Sequence, residues 1–597
     1  MQVPPGVDGA AAATARSAPL PGATTVGREP SALRRFLPGA AALVLYLVLS
    51  IALLSGTLFA GADRTVGNTA DPGQFIWYLA WVPYALGHHL DPLLTTYLRS
   101  PAGANLMWNT PITFPALVMA PVTVLLGPLT SYNVLAVLGF ALSGWCAYFA
   151  VRRYTVSSIP AIVGGLLYGF SPYMYAQSTS HMNLELAMFP PLALLLFDEI
   201  LVRQRAAPLV IGGLLGLAAA AQFLTSSELL AITALLSVPA LLVILIWHRA
   251  RFAERRGYAG RALGAAVIVF ALLAAFPLYI QFLGPERPAG VFQVQDYYVA
   301  SLRNFVSPTG HQWLGLLGRS TSPDSDAFIG VPLLALAAIT LVWLRRHAVV
   351  WAASVVLAAS MVLSLGGYLW LHGVETGIPL PWLLFDHLPL SDQILPIRVM
   401  VIGYLALAVV VGIFLDRCAR SGRPGRIALG AGATAVALIP LLPGLPYPTN
   451  QWSIPAFFTD GAVDMIPAGS TVYIPPDKVN LEALVWQAAS GMRFRTQLGW
   501  VFTPAPLPQP WITEFDPLGT ELYDLGELGQ SAPAEISATQ RHSYLGDLAA
   551  TGAGTVIIGP EPGEGQAVAL MADLLGRQGQ SIGGIVVWTG VGLPQGS

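Results

Sequence analysis

Of the 597 residues, 10% are charged and 54% hydrophobic, against roughly 25% charged in an ordinary soluble domain. That balance excludes a single soluble globule and implies an α-helical polytopic membrane protein. The formal charge of −2 hides an asymmetry: residues 445–597 hold 14 acids and 5 bases, leaving an excess of +7 for everything before them. No basic stripe interleaved with aromatics occurs, so no nucleic-acid partner is expected.

Residues 1–33, rich in Ala, Pro, Thr and Gly, read as a disordered cytoplasmic tail. The apolar run 37–60 follows Arg34 and Arg35 and exceeds the length of a signal-peptide core. It reads as an uncleaved signal anchor, although Ala60-Gly-Ala62 matches a small-residue cleavage pattern. Further runs of spanning character lie at 131–151, 157–175, 183–201, 207–225, 228–247, 261–283, 327–344, 348–366, 396–416 and 426–443. With eleven spans and the N-terminus inside, the clusters Arg152/Arg153, Arg203/Arg205, His248 to Arg261, Arg345/Arg346 and Arg417 to Arg426 all fall on the cytoplasmic side. A twelfth run, 113–127, is interrupted by Pro115 and Pro121. Counting it as a span would invert every later cluster, so it is expected at the outer surface or as a re-entrant helix. The transmembrane domain is thus 34–444, with a large first outer loop, 61–130.

A Pro-rich hinge (Pro440, Pro443, Pro446, Pro448) leads into 445–597, expected to be an extracytoplasmic α/β domain. Strands are expected at 470–474, 555–558 and 582–588, with a helix between Glu564 and Gly579. Cys146, in an apolar segment, and Cys418, in a basic loop, match no metal spacing and read as unpaired thiols.

Ionisable side chains near a membrane core need a cavity or a partner, and here they gather at the outer ends of the spans. Asp71, followed by Pro72 and the aromatic stretch containing Trp77, suits a general base acting on an acceptor hydroxyl. It also suits a capping role at the helix that Pro72 begins. One carboxylate with a phosphate can hold Mg²⁺ or Mn²⁺, so a divalent cation is an open possibility and the cofactor is unassigned. His88 and His89 read as solvated interface residues. Asn105 lies farther along the loop, in Ser100-Pro-Ala-Gly-Ala-Asn-Leu-Met-Trp-Asn109. His181 and Glu185 share a helix face at i,i+4 and either satisfy each other or serve a site. Glu228 sits at the outer start of another span. Arg398, at the outer entrance of the tenth span, suits bidentate capture of a phosphate or an ion pair with Asp392.

These features resemble the GT-C class of membrane glycosyltransferases. More closely, the chain resembles large bacterial, especially actinobacterial, membrane proteins of the YfhO type. The resemblance rests on Asp71-Pro-Gly-Gln-Phe-Ile-Trp-Tyr-Leu-Ala-Trp81, Ser100 to Thr110, Ser180-His-Met-Asn-Leu-Glu185, Phe197 to Arg203, Leu395-Pro-Ile-Arg398 and Val485 to Arg493. It implies transfer of a sugar from a polyprenyl-phosphate donor to a cell-envelope glycan, lipid or protein at the outer face of the plasma membrane. It further implies Asp71 as base or metal contact and Arg398 as the donor-phosphate residue; His181, Glu185, Glu228, Trp77 and Asn105 are expected to line the substrate site beside them. The chain departs from the class in lacking an Asp-x-Asp or Glu-x-Asp pair in the first loop and any lysine before Lys478. Two other readings stand beside this one: a transporter of lipid-linked material, and a non-enzymatic envelope scaffold.

Overall fold

The computed structural model describes residues 32–592, apart from 68–69, 248, 289–297, 318–326, 372–373, 386–393, 477–480, 505–514, 527, 529 and 531–535. Of the expected tail 1–33, only the last two residues fall within the described part. The chain runs α1 (Ala32–Leu58), β1 (Arg64–Val66), α2 (Pro72–Gly87), β2 (Leu94–Thr95), β3 (Ala104–Asn105), α3 (Thr113–Leu126), α4 (Pro128–Arg152), α5 (Ser158–Gly169), α6 (Pro172–Ser178), α7 (Met182–Glu185) and α8 (Phe189–Asp198). After a π-helical turn, Glu199–Arg203, come α9 (Pro208–Phe223), α10 (Ser227–Trp247), α11 (Arg249–Leu283), α12 (Val331–Trp343), α13 (Ala348–Ser364), β4 (Tyr368–Leu371), β5 (Val374–Pro379), α14 (Met400–Ala419) and α15 (Pro424–Leu438).

Six of these, α1, α4, α10, α11, α14 and α15, are long and apolar enough to cross a membrane. Shorter apolar helices, α3, α5, α9, α12 and α13, fill in around them. The helix α14 is buried along almost its whole length, whereas α1, α10, α11 and α15 present most of their apolar surface outward. An exposed apolar face is the signature of a lipid-facing helix, because lipid replaces the protein partner that a soluble helix would need.

Two of the expected spans are not single helices. In 157–175, α5 ends at Gly169, and Ser171-Pro172 starts α6 with the Ser171 hydroxyl accepting from Met174 N–H. In 183–201, the chain that would continue α7 stops at Leu186, and Phe189-Pro190-Pro191 starts α8 with prolines where no backbone donor is needed. At 14 residues, α3 is no shorter than α5 (12) or α12 (13). Helix length therefore does not separate it from them.

The arginine clusters collect at one end of the bundle. Arg153 donates to Asp198 (2.5 Å) and to Glu199, and Arg203 donates to the same Asp198 (2.9 Å). Asp416 accepts from the backbone N–H of Val156 and Ser157, tying the end of α14 to the turn before α5. Cys418 belongs to the last turn of α14, not to a loop as expected, and both cysteines are buried free thiols.

The C-terminal domain comprises β6 (Thr449–Gln451), β7 (Thr471–Tyr473), α16 (Glu482–Ala489), β8 (Arg495–Thr496), α17 (Pro517–Gly526), α18 (Ala538–Thr551), β9 (Thr555–Ile558), α19 (Glu564–Leu575), β10 (Gln580–Ile582) and β11 (Ile585–Thr589). Its sheet has the order β10-β11-β9-β7-β8, parallel around β7 and antiparallel at the β11 side. The single strand expected at 582–588 is a hairpin. Gly583 and Gly584 both have positive φ (58° and 86°), which suits the tight turn between β10 and β11.

The Pro-rich connection is not a free hinge. β6 pairs with β1, and the Tyr447 hydroxyl lies 2.5 Å from Ser178 Oγ. The domain docks on α2 through α16: Trp77 Nε1 donates to Gln487 Oε1, while Gln487 Nε2 donates to the carbonyls of Tyr97 and Phe494. Thr496 N–H also donates to Tyr97 O, and Arg495 sits over the Tyr97 ring at 5.4 Å. Trp77 is fully buried and stacks on Trp81 at 5.4 Å. Replacing Trp77 by Ala removes an anchor of the kind that costs roughly 3–5 kcal/mol. The expected outcome is a lower thermal midpoint and faster proteolytic release of the C-terminal domain; unchanged protease resistance would remove Trp77 from the docking interface.

Candidate active site

The site begins where the chain leaves α1. Antiparallel pairing of β1 with β6 sets Arg64 opposite Gln451 and Val66 opposite Thr449. Asn133 of α4 holds the same strand from the other side, accepting from Val66 N–H and donating to Arg64 O. Gly67 follows with φ +141°, and a Cβ there would lie 2.9 Å from both Pro72 Cγ and Thr179 O. Only glycine fits such an approach. It lets the start of α2 lie against the turn after α6, and Asp71 Oδ2 comes to 3.6 Å from His181 Nε2.

Asp71 does not cap α2 as expected. Its backbone is already helical (φ −54°, ψ −35°) and its side chain makes no cap hydrogen bond. A capping side chain needs an extended backbone to reach the second or third amide. Here the carboxylate lies beside His181 instead.

His181 leads to Arg398. Arg398 Nη2 is 3.2 Å from His181 Nε2, and Arg398 Nη1 donates to Glu228 Oε2 at 2.8 Å. A guanidinium has no acceptor, so Nε2 accepts and the ring carries its proton on Nδ1. Burial, and then the Arg398 charge, hold the His181 pKa well below its ordinary value, which keeps the ring neutral. Glu228 Oε1 accepts from Leu395 N–H at 3.0 Å, so both its oxygens are used. At 3.6 Å, Asp71 and His181 are neighbours beyond hydrogen-bond distance of each other.

Four residues from distant parts of the chain thus form one row, Asp71, His181, Arg398 and Glu228. Side-chain exposure falls along it, from 27% at Asp71 and 21% at His181 to 10% at Glu228 and 9% at Arg398. The row opens at the carboxylate of Asp71 and is anchored at the Arg398–Glu228 pair. Asp392, the other partner expected for Arg398, lies outside the described residues.

The remaining candidates sit elsewhere. Glu185 is not paired with His181. It is fully buried against Gly139 of α4, and neither carboxylate oxygen has a hydrogen-bond partner among the described residues. Trp77 belongs to the docking surface described above. Asn105 is buried, donates to Ile280 O and Pro285 O, and accepts from Met107 N–H, so it staples the first loop to the end of α11. His88 and His89 are exposed, with His88 stacked on Tyr84 at 4.0 Å. Asn133, which positions β1, is not among the residues expected from sequence; a lone Asn inside an apolar run is the signal that points to it.

The residues present do not make a cation site of their own. Among the described residues no three His, Cys, Asp or Glu side chains converge on a point. Glu228 is committed to Arg398, and that guanidinium already lies 3.2 Å from His181. The chemistry of the row is that of a carboxylate, a neutral imidazole and a paired guanidinium.

The neutral His181 has a consequence for pH. Its folded pKa lies below the unfolded reference of about 6.5, so below that pH the unfolded chain binds a proton that the folded chain refuses. Stability is complete above about 6.5 and falls as the pH drops towards the lowered folded value. Thermal melts across this range should show a steeper acid loss for the wild type than for His181→Gln. Parallel curves would show that His181 is not held neutral.

A scan against protein-family models finds no match, and a search of curated proteins finds none either. Solved structures do match. The cryo-EM structure of arabinofuranosyltransferase AftD from Mycobacteria aligns over 93% of this chain with a TM-score of 0.55 and 15% identity. The R1389S mutant of AftD aligns over 88% with a TM-score of 0.51 and 14% identity. The archaeal oligosaccharyltransferase AglB from Archaeoglobus fulgidus, in complex with an inhibitory peptide and a dolichol-phosphate, gives 0.46 over 89% at 11% identity, covering 70% of that chain. The present chain spans 40% of the length of AftD. It shares its fold with AftD.

Proposed function

We propose that this chain is a membrane glycosyltransferase that moves a sugar from a polyprenyl-phosphate donor to a cell-envelope acceptor. The observation that carries the reading is the convergence of Asp71, His181, Arg398 and Glu228 on one row that opens at a carboxylate. The GT-C fold supports it, and a fold alone does not assign an activity.

In this reading Asp71 is the general base. Its carboxylate takes the proton from an acceptor hydroxyl as that oxygen bonds to the anomeric carbon of the donor sugar. The bond from that carbon to the phosphate oxygen breaks on the opposite face, and the polyprenyl phosphate leaves with the electron pair, so the configuration inverts. Arg398 supplies positive charge on the leaving-group side, and the neutral His181, accepting from Nη2, stands between the guanidinium and Asp71. Glu228 fixes the guanidinium through Nη1, leaving its other edge directed at His181. Electrostatic stabilisation of a leaving phosphate needs such preset charge more than it needs acid catalysis. With the N-terminus cytoplasmic, this row and the C-terminal domain share the outer face, where lipid-linked sugars of the envelope are used.

The polar row gathers at one end of the bundle, and this is why the transferase reading is preferred over a transporter, whose site belongs near the midplane. Asp71→Asn should lower sugar transfer by about 10²-fold or more, the usual weight of a general base, with the thermal midpoint preserved. The assay is transfer from a synthetic polyprenyl-phosphate sugar in proteoliposomes; full turnover by a folded Asp71→Asn protein would contradict the assignment.

A further inference from the structure

A cavity away from the Asp71 carboxylate lies between α8, α10, α13 and α14. It has a volume of about 430 Å³, within the range of roughly 300–1,000 Å³ typical of small-molecule sites. Its walls are apolar, from Leu194 of α8, Leu236 and Ala240 of α10, Val356 of α13 and Val409 of α14. Along α10 the lining runs from Thr233 to Ile244, a rise of roughly 16 Å at 1.5 Å per residue. That is about half of a hydrocarbon core of ~30 Å, the depth of one leaflet.

One end of the cavity is charged. Arg153, Asp198, Arg203 and His347 line it at the arginine-rich end of the bundle, opposite the Asp71 row. The acids there are fully engaged. Asp198 accepts from Arg153 and Arg203, and Glu199 accepts from Arg153 and from the backbone N–H of Arg205 and Ala206. The arginines are not: hydrogen bonds engage Nε and Nη2 of each, leaving Nη1 of each without one among the described residues. His347 Nδ1 is buried and has no hydrogen-bond partner among them either. A surplus of donors and an orphaned imidazole nitrogen therefore stand at the mouth of an apolar slot one leaflet deep.

We infer that this cavity binds an anionic phospholipid of the leaflet at the arginine-rich end, its phosphate on Arg153, Arg203 and His347 and an acyl chain between α8 and α10. A guanidinium edge and a phosphate make charge-assisted hydrogen bonds, and the apolar walls reward a chain in place of water. The occupant is not the sugar donor. The donor phosphate belongs with Arg398, whereas the charged mouth of this cavity is at the other end. The two sites are nevertheless close: Ile402, which lines the slot, is one turn beyond Arg398 at the start of α14. A lipid there would brace α10 and α14, the two helices joined by the Arg398–Glu228 pair.

The test uses the full chain in nanodiscs of phosphatidylcholine mixed with phosphatidylglycerol, followed by native mass spectrometry of the released protein. One phosphatidylglycerol should stay bound to the wild type and raise its thermal midpoint over pure phosphatidylcholine discs. Arg203→Gln should reduce the retained lipid about tenfold, the loss expected from one charge-assisted contact. Ala240→Phe, which fills the slot without touching the charges, should reduce it as well; should that variant fail to fold, Arg203→Gln carries the test. Equal retention of phosphatidylcholine, or undiminished phosphatidylglycerol in Arg203→Gln, would overturn the proposal. So would displacement of phosphatidylglycerol by added polyprenyl phosphate, which would give the slot to the donor chain.

Discussion

The Arg398–Glu228 ion pair is the contact on which the arrangement of the site depends. Each side chain is about a tenth exposed, and a buried charge without its partner costs several kcal/mol. Glu228 opens α10 and Arg398 precedes α14, so the pair locks the N-terminal ends of two helices that are otherwise held apart by an apolar slot. Having satisfied Arg398 through Nη1, Glu228 leaves Nη2 aimed at His181. Burial, reinforced by that contact, keeps the imidazole a neutral acceptor. Remove the pair and the buried end of the row is no longer fixed.

The other end of the row is held by the C-terminal domain. Strand β6 pairs with β1, just before Gly67, and Gln487 reaches from α16 to Trp77 in α2. Both contacts fix the segment that carries Asp71, one on each side. The domain is therefore part of the frame of the site, even though none of the row's four side chains comes from it. This also accounts for the stretch Val485 to Arg493. Gln487 is the docking residue within it, fully buried and with its side chain in three hydrogen bonds.

Much of this is legible in residue types and their order. Runs of apolar residues mark helices because a membrane permits little else, and most of the runs are built around one helix each. The two exceptions carry their own signals, Ser171-Pro172 and the Pro190-Pro191 pair, which begin a helix more readily than they continue one. Asp71, His181, Glu228 and Arg398 are legible as a group because ionisable residues at span ends are rare enough to need partners. Which partners they take is not legible. His181 and Glu185 share helical spacing, yet the helix between them is a single short turn, and Glu185 goes to α4 while His181 goes to Arg398. Trp77 and Asn105 read as substrate contacts because indole and amide groups look alike in sequence whether they face a ligand or a neighbouring segment; in the fold they hold segments together. The capping role expected of Asp71 fails on backbone geometry, which Pro72 alone does not set.

Whether Asp71 and Arg398 serve one substrate is tested most directly by a cryo-EM structure of the full chain in lipid nanodiscs with a non-cleavable polyprenyl-phosphonate sugar. The phosphonate is expected beside His181 and Arg398, with the anomeric carbon between it and the Asp71 carboxylate. A phosphonate bound at the arginine-rich end near Arg153, or sugar density remote from Asp71, would contradict a shared donor site.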